Sequence, residues 1–198
     1  MEKYAVGGGG DEAGVRLRVP ISYGLPHEAE DSSEAGMIGR TDIVIAIDPD
    51  THLSGVARLD VAERKMWADT LPFPDVVDFV RKVCRESKRV LVVIEDSWSA
   101  GENNWHLHVR DNRAVAAKKG YAVGSMHAVG QKLTEMLEYY GVTVTQQRPL
   151  VKCWSGPDRK ITHEEITKVT KWDRKRSNQE QRDAALLAWY CSGLPIKL

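Results

Sequence analysis

A chain of 198 residues, 42% of them apolar, suits one ordinary domain with an appendage and can bury a sizeable core. No run approaches the roughly 18 apolar residues that a membrane span needs, and the N-terminus lacks the apolar segment of a signal peptide. Net charge is zero, and three scattered cysteines (Cys84, Cys153, Cys191) suggest neither a disulfide framework nor a zinc site, so a reduced, cytoplasmic protein is expected.

Residues 1–40 hold a glycine run at positions 7–10, scattered acids and little periodicity. They read as a flexible or partner-ordered N-terminal extension, with residues 15–19 as a short strand or arm. The glycine run lacks the flanking strand, helix and Lys-Ser/Thr of a phosphate-binding loop, and reads as linker. The folded domain is expected over residues 41–198. Its first apolar run, Ile43-Val44-Ile45-Ala46-Ile47, has the β-branched character of a strand buried on both faces. It ends on Asp48-Pro49, and after a short polar turn Ser54-Gly55-Val56-Ala57-Arg58-Leu59 pairs back on it. Residues 65–71 offer a third antiparallel strand, which Pro72 and Pro74 end. Residues 75–86 then place Val76, Val77, Phe79, Val80 and Val83 on one helical face. Residues 90–94 (VLVVI) form a second fully apolar strand ending on Glu95. A helix between two buried strands implies a parallel crossover, so Asp48 and Glu95 should stand side by side at one sheet edge.

A polar loop (DSWSAGENNWH) follows, then a long helical pattern over 113–140. Gly120, Gly124 and Gly130 stand where another backbone can approach, and Gly141 is placed as a C-cap. Residues 142–146 make a short strand ended by Pro149. Thr162-His163-Glu164-Glu165 has the pattern of a capping box, and residues 179–191 form the last helix. His106 and His108 are given no role, and His127 reads as a packed or solvent-edge residue. Between Arg148 and Arg176 nine basic residues face four acidic ones, which is either a solvated face or a phosphate-binding surface.

A carboxylate at the mouth of a central strand is costly unless something positive meets it, although Asp48 could simply form a turn before proline. The last helix adds Glu180 and Asp183, three apart and so on one face. Acids near a helix N-terminus are favoured by its dipole in any case. Joined to Asp48 and Glu95, they make a four-carboxylate set.

In this order the motifs IAIDPDTHLSGVA, VVIEDSW, the long helix with RPLVKCW, and NQEQRDAALLAWY resemble the RuvC-type crossover-junction endonucleases, particularly their divergent phage-type members. The resemblance spans roughly residues 42 to 191. It implies an α/β ribonuclease H-like fold: a five-stranded mixed sheet, the first three strands antiparallel, flanked by helices. It implies that Asp48, Glu95, Glu180 and Asp183 hold two Mg²⁺ per site, with Mn²⁺ as a substitute, and that Lys152 serves catalysis. Asp48 would bridge the two ions. Glu180 stands where aspartate is more frequent in the family, and Asp50 replaces a glycine after Asp-Pro. The resemblance further implies phosphate contacts at Lys152 and Lys160, and an aromatic at Trp98 that lies against bases at the branch point. Arg159, Lys171 and Arg174, in the basic stretch, would add phosphate contacts that neutralise charge without reading sequence. Trp105 could also stack on an unpaired base, and Trp98 could equally be a loop aromatic folded on the core.

The chemistry expected is metal-dependent hydrolysis of a phosphodiester, for which hard oxygen ligands suit Mg²⁺. The substrate expected is a four-way junction or other branched DNA cut by a homodimer, with the long helix as the natural dimer surface and no membrane partner. Two alternatives stay open. One is another ribonuclease H-like nuclease, acting on RNA–DNA hybrids or in packaging; the other is a branched-DNA-binding module that does not cleave. An actin-like ATPase lacks the necessary phosphate loop.

Overall fold

The computed structural model describes residues 41–99 and 112–197. The expected extension over residues 1–40, Trp105, His106 and His108 lie outside them. The described elements are β1 (Ile43–Asp48), β2 (Ser54–Asp60), β3 (Lys65–Leu71), α1 (Phe73–Glu86), β4 (Val90–Glu95), α2 (Arg113–Tyr139), β5 (Val144–Gln147), a 3₁₀ turn (Pro157–Arg159), α3 (His163–Thr170) and α4 (Gln179–Cys191). The sheet order is β3-β2-β1-β4-β5. β1, β2 and β3 form an antiparallel meander, and β4 and β5 run parallel to β1 and β4 respectively. This is the mixed five-stranded sheet implied by the resemblance to the ribonuclease H-like fold.

The period-two alternation of β1 divides the core into two layers. Ile43, Ile45 and Ile47 pack with Val76, Val80, Leu133 and Leu137 of α1 and α2. Val44 and Ala46 face the other way, toward α4 and toward Ile166 and Val169 of α3. Under α4 the sheet is unusually low. Ala46 pairs with Ala57, and Ala57 with Ala68, so three alanines stand abreast across β1, β2 and β3. α4 returns Ala184, Ala185 and Ala188 to the same layer, all fully buried. Small side chains on both surfaces let helix and sheet approach closely.

Gly55 takes that approach to its limit. A Cβ there would fall inside contact distance of the Glu180 carbonyl carbon and oxygen in the first turn of α4. The start of α4 is also tied to β3. Gln181 Nε2 donates to Asp69 Oδ1 at 2.9 Å, and Arg174 Nη1 donates to the Ala68 carbonyl at 2.6 Å. Asn178 and Gln181 close a capping box at the same end, as Thr162 and Glu165 do on α3.

Two boundaries differ from expectation for local reasons, and so does the packing of α2. α1 begins at Phe73, with Pro72 as N-cap and Pro74 in the first turn, where its missing N–H leaves no bond unmade. β5 starts at Val144 because Val142 N–H is taken by the Leu137 carbonyl in the C-terminal cap of α2, where Gly141 has φ +77°. Gly130 of α2 meets the Trp98 ring instead of a backbone, and Gly124 faces open space. Among the described residues no helix is long and apolar enough to cross a membrane.

Two glycine substitutions separate these roles. Gly55→Ala should lower the unfolding free energy by about 2–3 kcal/mol through overpacking against α4. Gly124→Ala, in open space on a helix, should raise it by about 0.5–1 kcal/mol. Urea denaturation of both variants measures the pair, and an unaffected Gly55→Ala would refute the close approach.

Candidate active site

The parallel register pairs Ile47 with Ile94, so the next residues, Asp48 and Glu95, leave the sheet at adjacent positions on one edge. Asp48 is also the antiparallel partner of Gly55, the residue on which α4 rests. Docking α4 there brings Glu180 and Asp183 to the same edge. A cleft of about 270 Å³ opens at this point. It is lined by five carboxylates (Asp48, Asp50, Glu95, Glu180, Asp183) and two lysines (Lys152, Lys160), with Pro149, Leu150, Ile161 and Leu186 among its apolar wall residues. The four acids expected to converge therefore do share one cavity.

Collecting them is electrostatically expensive. Burial pushes the Asp48 carboxyl well above the usual carboxylate range, and the charges of Glu95, Asp183 and Glu180 push the same way against the opposing Lys160. Burial and the neighbouring Asp183 raise Glu95 to about 7, opposed by Lys152 and Lys160. Four carboxylates repelling one another in a partly desolvated cleft are a donor set that suits a hard divalent cation. As the side chains stand, no three of them close on a single ion position among the described residues. Asp183 is turned to other partners.

Those partners form a chain along the first turns of α4. Lys160 Nζ lies 3.4 Å from Asp183 Oδ2, and Gln179 Nε2 donates to Asp183 Oδ1 at 2.7 Å. Gln179 Oε1 in turn accepts from Arg182 Nη2 at 2.7 Å, which orients the amide. Arg182 also donates to the Ile161 and Ser177 carbonyls. It thereby fixes the backbone beside Lys160 as well as the amide that holds Asp183. Neither Gln179 nor Arg182 is among the expected site residues. Their only trace in the sequence is spacing, three and four positions apart within QEQRD.

The remaining expected residues are placed unequally. Lys152 is exposed on the cleft wall. Arg159, exposed and with φ 59°, precedes Lys160 in the hairpin closed by Trp154 N–H to the Arg159 carbonyl and Gly156 N–H to the Lys160 carbonyl. Lys171 is the exposed C-cap of α3, away from the cleft lining. Arg174 serves the fold: besides Ala68 it meets Asp69 at 3.7 Å. Trp98 sits just past β4, where Asp96 Oδ1 accepts from the backbone N–H groups of Trp98 and Ser99 and bends the chain. Its ring rests against Gly130 and packs on the α1–α2 core layer, the second of the two roles left open for it. Asp50 closes an Asx turn, its Oδ1 accepting from His52 N–H at 2.8 Å. It also adds a carboxylate to the cleft beyond the expected four.

The raised carboxyls make stability depend on pH with a definite sign. Folded Asp48 and Glu95 hold protons that the unfolded chain releases near 4.5 or below, so their contribution is fullest below that pH and is lost as pH rises through about 7. Glu165 acts oppositely at lower pH. Burial raises it, but hydrogen bonds with Thr162 and Ser155 outweigh that and lower it. In chelator, the unfolding free energy should therefore fall by on the order of 2 kcal/mol from pH 5 to pH 8. Glu95→Gln should flatten the profile. Urea titrations across that range test both, and a rising wild-type profile would contradict the electrostatics described.

No family model matches the chain, and no curated protein matches it in sequence. Among solved structures, the chain is similar to Thermus thermophilus RuvC in complex with Holliday junction substrate, at 14% identity and a TM-score of 0.47, covering 79% of this chain and 99% of that one. It is also similar to Thermus thermophilus RuvC determined separately, at 16% identity and a TM-score of 0.40, with the same coverage.

Proposed function

We propose that this protein is a metal-dependent endonuclease that resolves four-way junctions or other branched DNA by phosphodiester hydrolysis. The observation that carries the reading is the single cleft where Asp48, Glu95, Glu180 and Asp183 meet beside Lys152 and Lys160. Such a set suits neither a redox nor an acyl-transfer site, whereas carboxylates with adjacent lysines suit a metal and a phosphate together. The motif order in the sequence supports the same reading.

Asp48, Glu95, Glu180 and Asp183 would hold Mg²⁺ or Mn²⁺, two ions per site by the family resemblance. A bound divalent ion supplies Lewis acidity, lowering the pKa of water and stabilising charge on the leaving oxygen. The chain's own residues do the rest. Lys152 and Lys160 neutralise the phosphate that approaches the acids. Arg159, on the hairpin next to Lys160, extends the basic surface along the backbone of the nucleic acid. Lys171 lies further out and would add only non-specific attraction. The buried aliphatic wall excludes water from one side, which strengthens every charge interaction within the cleft.

The enzyme would act as a homodimer, because a junction offers two strands to cut. α2 is the surface proposed: its fully buried residues are confined to Gly130, Leu133, Thr134 and Leu137, leaving its first half outside the core.

Cleavage of a mobile four-way junction, an RNA–DNA hybrid and a linear duplex, compared in Mg²⁺, tests the substrate class. The junction should be preferred, and a preference for the hybrid would replace this reading with that of a hybrid-cutting nuclease. Asp48→Asn should cost about a thousandfold in rate, several kcal/mol of charge stabilisation being removed. The same variant should be more stable than wild type in chelator, because it removes a buried carboxylate and, with it, the repulsion from neighbouring acids. Lost activity with gained stability would separate a chemical role from a structural one.

A further inference from the structure

Lys160 has two possible relations to the carboxylates around it. It can serve an incoming phosphate, as proposed above, or it can serve the acids themselves. We propose that Lys160 is a built-in competitor of the divalent ion: it neutralises Asp183 in the metal-free protein, weakens metal binding, and is released toward the phosphate when the ion takes Asp183. This inference deepens the proposed function and rests on that reading.

Three observations place Lys160 in this role. Its Nζ lies 3.4 Å from Asp183 Oδ2, and both side chains are partly withdrawn from solvent, at 35% and 23% exposure. The other Asp183 oxygen is taken by Gln179, so both oxygens already have partners. Finally, Lys160 is held in place on a rigid frame. Gly156 N–H bonds its carbonyl, Ile161 beside it is buried, and Arg182 Nε donates to the Ile161 carbonyl at 2.9 Å. Lys152, by contrast, is exposed, and it acts on Glu95 through charge.

The competition has a thermodynamic form. An ion that must displace an ammonium group from one of its ligands binds more weakly than it would to the same ligands unoccupied. The reciprocal effect is that metal binding frees Lys160. A lysine is suited to such exchange, because its charge sits on a flexible stem and its hydrogen bonds have no fixed fork.

Isothermal titration of the full chain with Mn²⁺, in the absence of DNA, tests the proposal without any reading of activity. Lys160→Met should bind Mn²⁺ about tenfold more tightly than wild type, and Lys160→Arg within about twofold of it. If Lys160→Met does not fold in chelator, Lys160→Gln replaces it, and recovery of its helical circular dichroism on adding Mn²⁺ counts as the same result. Equal or weaker binding by the neutral variants, with wild-type binding intact, would overturn the competition while leaving the metal site standing. No Mn²⁺ binding by either wild type or the neutral variants would overturn the metal reading and this inference with it.

Discussion

The site depends on how closely one helix lies on one strand. α4 contributes two acids, yet it also closes the hydrophobic layer over β1, β2 and β3, so its height above the sheet sets where those acids end. That height is fixed by what is missing. Alanines stand abreast on the three strands, alanines face them from the helix, and at Gly55 there is no side chain at all. A larger residue anywhere in this row would lift the helix and carry Glu180 and Asp183 away from Asp48. Hydrophobic burial supplies the force, because Leu186, Leu187 and Trp189 are almost wholly removed from water. The geometry therefore rests on apolar packing, and the acids are carried along with it.

This arrangement explains how a fold can hold like charges together. Each acid is anchored by backbone whose position the core determines: Asp48 and Glu95 at the ends of central strands, Glu180 and Asp183 on a helix pinned at both faces. None can relax by moving its main chain, and at Asp48 and Glu95 burial, with repulsion from neighbouring acids added to it, raises the proton affinity. Lys152 and Lys160 relieve part of it, but two cations against five carboxylates leave the cleft acidic. A cleft that bears this cost attracts cations, and its two lysines are the groups within it that can meet an anion.

Much of this was legible in the chain itself. The alternation of β1, the apolar run of β4 and the helical stripe between them are enough to put Asp48 beside Glu95, because a parallel crossover leaves no other placement. The capping box at Thr162 locates the start of α3, and the helical reading of residues 179–191 carries the acids of the last helix. What periodicity does not carry is contact between distant segments. Nothing in the spacing of Arg174 distinguishes a phosphate ligand from a residue bonded to the Ala68 carbonyl on β3, since that carbonyl lies 106 positions away. The same holds for Trp98, whose seat exists only because Gly130 lacks a side chain. Gln179 and Arg182 were hidden differently: polar residues in a helix's first turn resemble ordinary solvent-facing ones until the acid they hold is known.

The packing also bears on why the third acid can be a glutamate. Its carbonyl lies where Gly55 would carry a Cβ, so the main chain of Glu180 sits close against β2. Reach must come from the side chain, and one more methylene extends it by over an ångström relative to aspartate. Asp183 lies one turn further along α4, with Lys160 and Gln179 at its two oxygens, and it needs no such extension to touch the lysine. Shortening the first acid would withdraw its carboxylate from the cleft while leaving α4 where the glycine holds it.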